Sequence, residues 1–206
     1  NDGTRYSGSV YGKLNEDWGV LGYYSTSDRD NMEDGDGNEI YGTAADQDLL
    51  FVKASGNLTE NQYASLSYEK REEEGEFSAR PNWVVLEGAA LYPSEAERDT
   101  LVANYRLDYS AMVYLEATAY TTSSSFRGGR FDWLANIDTY GFDIRNTSET
   151  TNHVFTYGVD YRNDEVESGP AEGAVENAEE GSVLGVYAQA HSAINPELTL
   201  SYGVRF

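Results

Sequence analysis

Apolar and polar residues alternate along most of this chain with a period of two. In the last segment Leu198, Leu200, Tyr202, Val204 and Phe206 fall on one side, and Thr199, Ser201, Gly203 and Arg205 on the other. The same split sets Leu101, Ala103, Tyr105 and Leu107 against Val102, Asn104, Arg106 and Asp108. It sets Phe155, Tyr157, Val159 and Tyr161 against Thr156, Gly158, Asp160 and Arg162. Strict alternation marks strands with one apolar and one wet face, and no segment shows a helical period. The pattern predicts about ten strands paired as hairpins. They are Arg5–Leu14 with Trp18–Thr26, Asp48–Leu58 with Gln62–Arg71, Thr100–Asp108 with Met112–Thr122, Thr139–Ser148 with His153–Arg162, and Ser182–Ile194 with Leu198–Phe206.

The turns inside these hairpins are short, and the connections between them are long: Ser27–Gln47, Glu72–Asp99, Ser123–Asp138 and Asn163–Gly181. Long loops at every second connection are unusual in a compact domain. They are the pattern of an outer-membrane barrel, with short turns on the periplasmic side and long loops outside. The apolar sets are rich in Ala, Gly and Tyr, thin for a packed core and adequate for a lipid belt. The expected fold is therefore all-β: an antiparallel, up-and-down transmembrane β-barrel. With long loops outward, Phe206 and Asn1 both fall at the outer rim, whereas complete barrels begin and finish in the periplasm. Residues 1–206 are accordingly expected to form a partial outer-membrane barrel domain, internal to a larger one and without a plug.

Composition narrows the function. The net charge is −22, with 36 acidic against 14 basic residues, which argues against a nucleic-acid partner. With no Cys there is neither a disulfide framework nor a thiolate metal site. Seventeen Tyr and twenty Gly suit interfacial girdles and close strand crossings.

Three stretches resemble the TonB-dependent outer-membrane receptors. "YGFDIRNTSETTNHVFTYGVDYRNDE", Tyr140–Glu165, is similar to the middle of the barrel in their haem/haemoglobin branch. "VLGVYAQAHSAINPELTLSYGVRF", Val183–Phe206, resembles a later hairpin of the family, and "YYSTSDRDNMEDGDGNEIYGTAADQD", Tyr23–Asp48, an early strand and loop. The resemblance implies a barrel of about 22 strands around an N-terminal plug, of which roughly half is represented. It implies import of an iron complex, haem or a ferric siderophore, driven by the TonB complex through the plug. It also implies outer-membrane lipid and lipopolysaccharide as surroundings. Plug, TonB box and the branch's "FRAP" and "NPNL" boxes are not found in the chain. Two other readings stay open: a self-contained small outer-membrane barrel, and a soluble β-sandwich binding or adhesion module with acidic loops.

Candidate ligand contacts lie in the outer loops. "FRGGRFDW" carries Arg127, Arg130, Phe131 and Trp133, a basic-aromatic cluster suited to an anionic iron chelate or a sugar; Trp83 and Tyr92 invite the same reading. Loop packing and interface anchoring are the plainer roles for all six. In "DGDGNE", Asp34, Asp36 and Asn38 place oxygen ligands on alternate residues, a weak match to a calcium loop that lacks the EF-hand Gly and distal Glu. The two histidines, His153 and His191, fall near predicted periplasmic turns and suit hydrogen bonding better than haem ligation. No nucleophile or metalloprotease motif is present, and an enzyme is not expected. No cofactor is expected either, beyond an iron complex or haem as cargo and calcium in the acidic loops.

Overall fold

The computed structural model describes residues 3–78 and 88–206. Ten strands form one antiparallel sheet. They are β1 (Gly3–Lys13), β2 (Trp18–Arg29), β5 (Ala45–Thr59), β6 (Gln62–Phe77), β7 (Tyr92–Ser110), β8 (Val113–Gly128), β9 (Trp133–Glu149), β10 (His153–Pro170), β11 (Asn177–Asn195) and β12 (Leu198–Arg205). A separate two-stranded ribbon, β3 (Met32–Glu33) and β4 (Glu39–Ile40), rises between β2 and β5. Each strand of the main sheet pairs with its chain neighbour, so the topology is a pure meander, with β1 and β12 at its edges.

This sheet has no second layer. Its accessible surface is 14109 Å², whereas a compact protein of its mass exposes roughly 9,600 Å². Among the described residues the buried apolar side chains are Ala45 and Ala190 alone. Large apolar residues instead stand exposed: Leu66 is 51% and Leu184 63% accessible. They lie predominantly on one face. Cross-strand partners share a face, so the register follows it across the sheet: Val10 faces Gly22, which faces Val52, then Tyr68, then Leu101. The next row is Gly12, Val20, Ala54, Leu66 and Ala103. The opposite face carries side-chain hydrogen bonds: Asn104 to Ser65 (3.3 Å), Thr118 to Asn104 (2.9 Å) and Tyr187 to Asp143 (2.8 Å).

The strands are longer than the alternation predicts. β7 has 19 residues and β10 has 18, while a lipid-crossing strand needs about 9–11. The extensions consume the expected loops. Ser123–Asp138 shrinks to the turn Gly129–Asp132, Asn163–Gly181 to 171–176, Ser27–Gln47 to 30–44 with its small ribbon, and Glu72–Asp99 to 78–91. Apolar alternation stops where the apolar face ends, yet backbone pairing continues through Ser, Thr and Glu. For example, Glu97 still faces Ser125 and Glu165 faces Asp138. Phe206 is also displaced from the expected rim. Its backbone exchanges two 3.0 Å hydrogen bonds with Val186, which sits among apolar residues at mid-height of β11. β11 runs on for nine residues beyond that point, to Asn177. Asn1 lies outside the described residues.

Leu66→Arg puts a charge at mid-height of the apolar face. In lipid bilayers it is expected to lower the unfolding free energy by about 2–4 kcal/mol. Thr118→Lys, on the polar face beside Asp143, is expected to change it by less than about 1 kcal/mol. Denaturant titration of the two variants measures both.

Candidate functional site

Two features of the sheet bear on function: the rim where the long connections lie, and the polar face below it. At the rim, β8 and β9 are joined by Gly129–Asp132. Gly129 has φ 79° and Asp132 φ 46°, the left-handed geometry that Gly and Asp tolerate best. Arg127 clasps Asp132 through two bonds, Nε to Oδ1 at 2.8 Å and Nη2 to Oδ2 at 2.7 Å. That fork holds the Asp132 carboxyl below its ordinary range, and the carboxylate raises the arginine in turn. Arg130 lies over the Phe131 ring, 5.6 Å from its centroid, and Phe131 is 77% exposed. Trp133 opens β9, half-buried opposite Gly128 and Pro170. The cluster read from "FRGGRFDW" is thus brought together in one turn. Arg127 is committed to holding that turn, which leaves Arg130 and Phe131 as its presented pair. Tyr92 stands at the same rim at the start of β7, opposite Phe77. Trp83 lies outside the described residues.

Asp34, Asp36 and Asn38 share the ribbon turn, but the Asp34 carboxylate serves the turn itself. Its Oδ1 accepts the amides of Asp36 and Asn38, both at 2.9 Å, and Oδ2 accepts Asn38 Nδ2 at 3.0 Å. Those donors hold the Asp34 carboxyl below its usual range. Among the described residues no three His, Cys, Asp or Glu side chains are gathered to hold a metal ion. His153 stands beside a short turn with Nδ1 2.8 Å from Ser192 Oγ. His191 lies on the polar face between Ser201 (2.7 Å) and Gln189 (2.6 Å).

Basic residues are sorted by face while acids stand on both, a pattern the sequence reading missed although the parity of each strand contains it; Glu69, Glu73, Glu116, Asp143, Asp160 and Asp164 share the polar side. Above the apolar band, the apolar side turns acidic on one strand after another: Asp28, Asp46 and Asp48, Glu72 and Glu74, Glu95 to Asp99 on alternate residues, Asp138, Glu165 and Glu167, and Glu180. Among the described residues of the ten strands, Lys70 and Arg127 are the basic ones on that side. Tyrosines mark the boundary: Tyr24 donates to Asp48 at 2.6 Å and Tyr68 donates to Asp99. On the polar side stand Arg5, Lys13, Arg29, Lys53, Arg71, Arg98, Arg106, Arg145, Arg162 and Arg205.

No family model and no curated protein matches the sequence. Solved structures match throughout. The FrpB iron transporter from Neisseria meningitidis (F3-3 variant) superposes with a TM-score of 0.84 at 17% identity, over 100% of this chain and 38% of that one. The fold is that of the barrel wall of TonB-dependent outer-membrane receptors. The Serratia marcescens hemophore receptor HasR, solved with its hemophore HasA and heme, gives 0.81 at 21% identity over 97% of this chain and 30% of that one. The siderophore receptor PirA from Pseudomonas aeruginosa gives 0.77 at 13% identity over 98% and 33%. The chain spans about a third of the length of these structures. In such a wall the apolar face meets lipid and the polar face lines the lumen.

The Arg127–Asp132 fork implies a pH response at the rim. Because Asp132 is depressed in the folded turn, its contribution is complete above the ordinary carboxylate range and is lost as pH falls through its own lower value. In a background with Trp18→Phe and Trp83→Phe, Trp133 emission is expected to shift as the solution is acidified below that range. Asp132→Asn is expected to abolish the shift.

Proposed function

We propose that the chain is part of an outer-membrane receptor that imports an iron complex, with haem or a ferric siderophore as the substrate class. The observation that carries this reading is the whole-chain likeness to barrels named as iron transporter, siderophore receptor and hemophore receptor. The sorting of charge supports it. On β1, β2 and β5 the polar face carries Arg5, Lys13, Arg29 and Lys53 and no acidic residue, which favours anions such as the carboxylates of haem or of a ferric chelate. The reading is of a transporter in the bacterial outer membrane, not an enzyme. Arg130 and Phe131, with Trp133, Tyr92 and Trp83, are the proposed first contacts for the ligand at the rim. Arg127 acts through them by holding their turn. Force on the plug from the TonB complex is the proposed source of energy, with lipid and lipopolysaccharide around the wall.

Cells lacking the receptor are expected to lose growth on haem or on one ferric siderophore as sole iron source, and to regain it only with a functional TonB complex. Unchanged growth on every iron complex tried overturns the reading. In the full receptor, Arg130→Ala with Phe131→Ala is expected to weaken ligand binding by roughly 3- to 30-fold, the range of one or two exposed cation–π or stacking contacts, with the amount of folded barrel unchanged.

A further inference from the structure

The cations of the polar face fall into two groups at its two ends; between them, on β6 and β7, Arg71 meets Glu73 at 3.2 Å, Arg98 meets Glu69 at 3.4 Å and Arg106 lies over the Tyr63 ring at 5.1 Å. On β8 to β12 the arginines meet carboxylates: Arg145 Nε lies 2.9 Å from Glu116, Arg162 Nη2 2.8 Å from Asp164 and Arg205 Nη2 2.6 Å from Asp160. On the lumen face of β1, β2 and β5 there is no acidic residue at all. Arg5 donates to Ser25 Oγ at 3.1 Å and Arg29 to the Thr43 carbonyl at 3.1 Å, both neutral acceptors. Lys13 and Lys53 have no carboxylate within ion-pair distance among the described residues. A wall carrying only positive charge, in a chain this acidic, is not a by-product of composition.

These two lysines flank a pocket of about 400 Å³, lined also by Tyr11, Gly19, Leu21 and Ser55. Register explains its shape. Gly19 on β2 faces Lys13 on one side and Ser55 on the other, and Leu21 faces Tyr11 and Lys53. β1 and β5 flank β2, so the lysine backbones are two strand spacings, about 10 Å, apart in the direction across the strands. The two are also offset by two residues along the strands, Lys13 level with Gly19 and Lys53 level with Leu21, so the true separation is a diagonal of about 12 Å, which two extended lysine stems can span onto a group held between them. Gly19 has no side chain to fill that gap. Two ammonium groups offer three donors each, Ser55 adds a hydroxyl, and Tyr11 with Leu21 supplies an apolar flank. The pocket sits near the short-turn end of the wall, beside the 14–17 turn and far from the rim cluster of Arg130 and Phe131.

We propose that the Lys13–Lys53 pocket is an oxyanion seat, taking a carboxylate or phosphate group of a small polyanionic ligand inside the lumen. It rests on the transport reading for the assignment of this face to the lumen, and it adds a second station to the one at the rim. The test is calorimetric titration of the full receptor in detergent, with citrate and inorganic phosphate as probes. Lys13→Gln with Lys53→Gln is expected to weaken binding at least about tenfold and to flatten its salt dependence. Lys13→Arg with Lys53→Arg is expected to retain binding, which separates charge from folding. Gly19→Leu keeps both charges but fills the pocket, and is expected to weaken binding as much. Lys70→Gln, on the outer face, is expected to change nothing. Citrate and phosphate binding that is absent from the full receptor, or indifferent to the double Gln variant or to Gly19→Leu in a folded barrel, overturns the seat. Receptor-dependent iron uptake alongside such indifference leaves the transport reading standing. Lysine-dependent binding in a receptor that supports no iron uptake upholds the seat and removes the transport reading.

Discussion

Hydrogen bonding between neighbouring strand backbones is the interaction on which the rest of this structure depends. A single-layer sheet has no core to hold it: its large apolar side chains are exposed, and among the described residues the two buried apolar ones are alanines. What joins β2 to β5, or β10 to β11, is an unbroken register of eleven or more residue pairs. In hydrocarbon such a ladder is obligatory, because each unpaired amide or carbonyl costs several kcal/mol. The exposed apolar face is then favourable in its own solvent. The same ladder carries the strands past the apolar band, where side chains give them little reason to remain extended.

Once the ladder fixes register, side-chain parity fixes environment. Successive residues point to opposite sides, so a position's neighbours across the sheet share its solvent. This is how a chain of net charge −22 gathers most of its arginines on one face, beside acids such as Glu69, Glu116, Asp143 and Asp160, and keeps the part on β1, β2 and β5 free of acid. Its acidic residues are concentrated on the outer side above the lipid band, in the loops and in the turns. Tyr24 and Tyr68 sit at the seam, with rings on the apolar side and hydroxyls bonded to Asp48 and Asp99 above. An amphipathic ring at that height matches an interface that is apolar below and wet above.

Much of this was legible in the sequence. Alternation located all ten strands of the sheet and assigned residues such as Leu101 and Phe155 to the correct side, because period two survives wherever one face is apolar and the other polar. Strand ends were not legible. Above the band both faces are wet, so Glu95 to Asp99 reads as a polar loop although it pairs with β6 and β8 throughout. That error also misplaced Phe206, since it made β11 too short and moved the rim down to it. The rim cluster was legible as composition, but the division of labour inside it was not. Only geometry shows that Arg127 is spent on Asp132 while Arg130 lies over Phe131.

The lumen cations show a different kind of blindness. Each of Arg5, Lys13, Lys53, Arg145 and Arg205 is unremarkable alone, and net charge conceals them. Their significance is relational: it needs the register that puts Arg145 against Glu116 yet leaves no acid on the lumen side of β1, β2 and β5. A meander makes such asymmetry easy to build, because neighbouring strands share a face and a run of acid-free odd positions becomes a continuous wall. Paired arginines on β8 to β12 stiffen the lumen and contribute little field. Cations without carboxylates beside them, backed by the sheet's apolar face, project theirs outward from the polar face. The two halves of the wall are therefore electrostatically distinct, although they share one fold and one alternation.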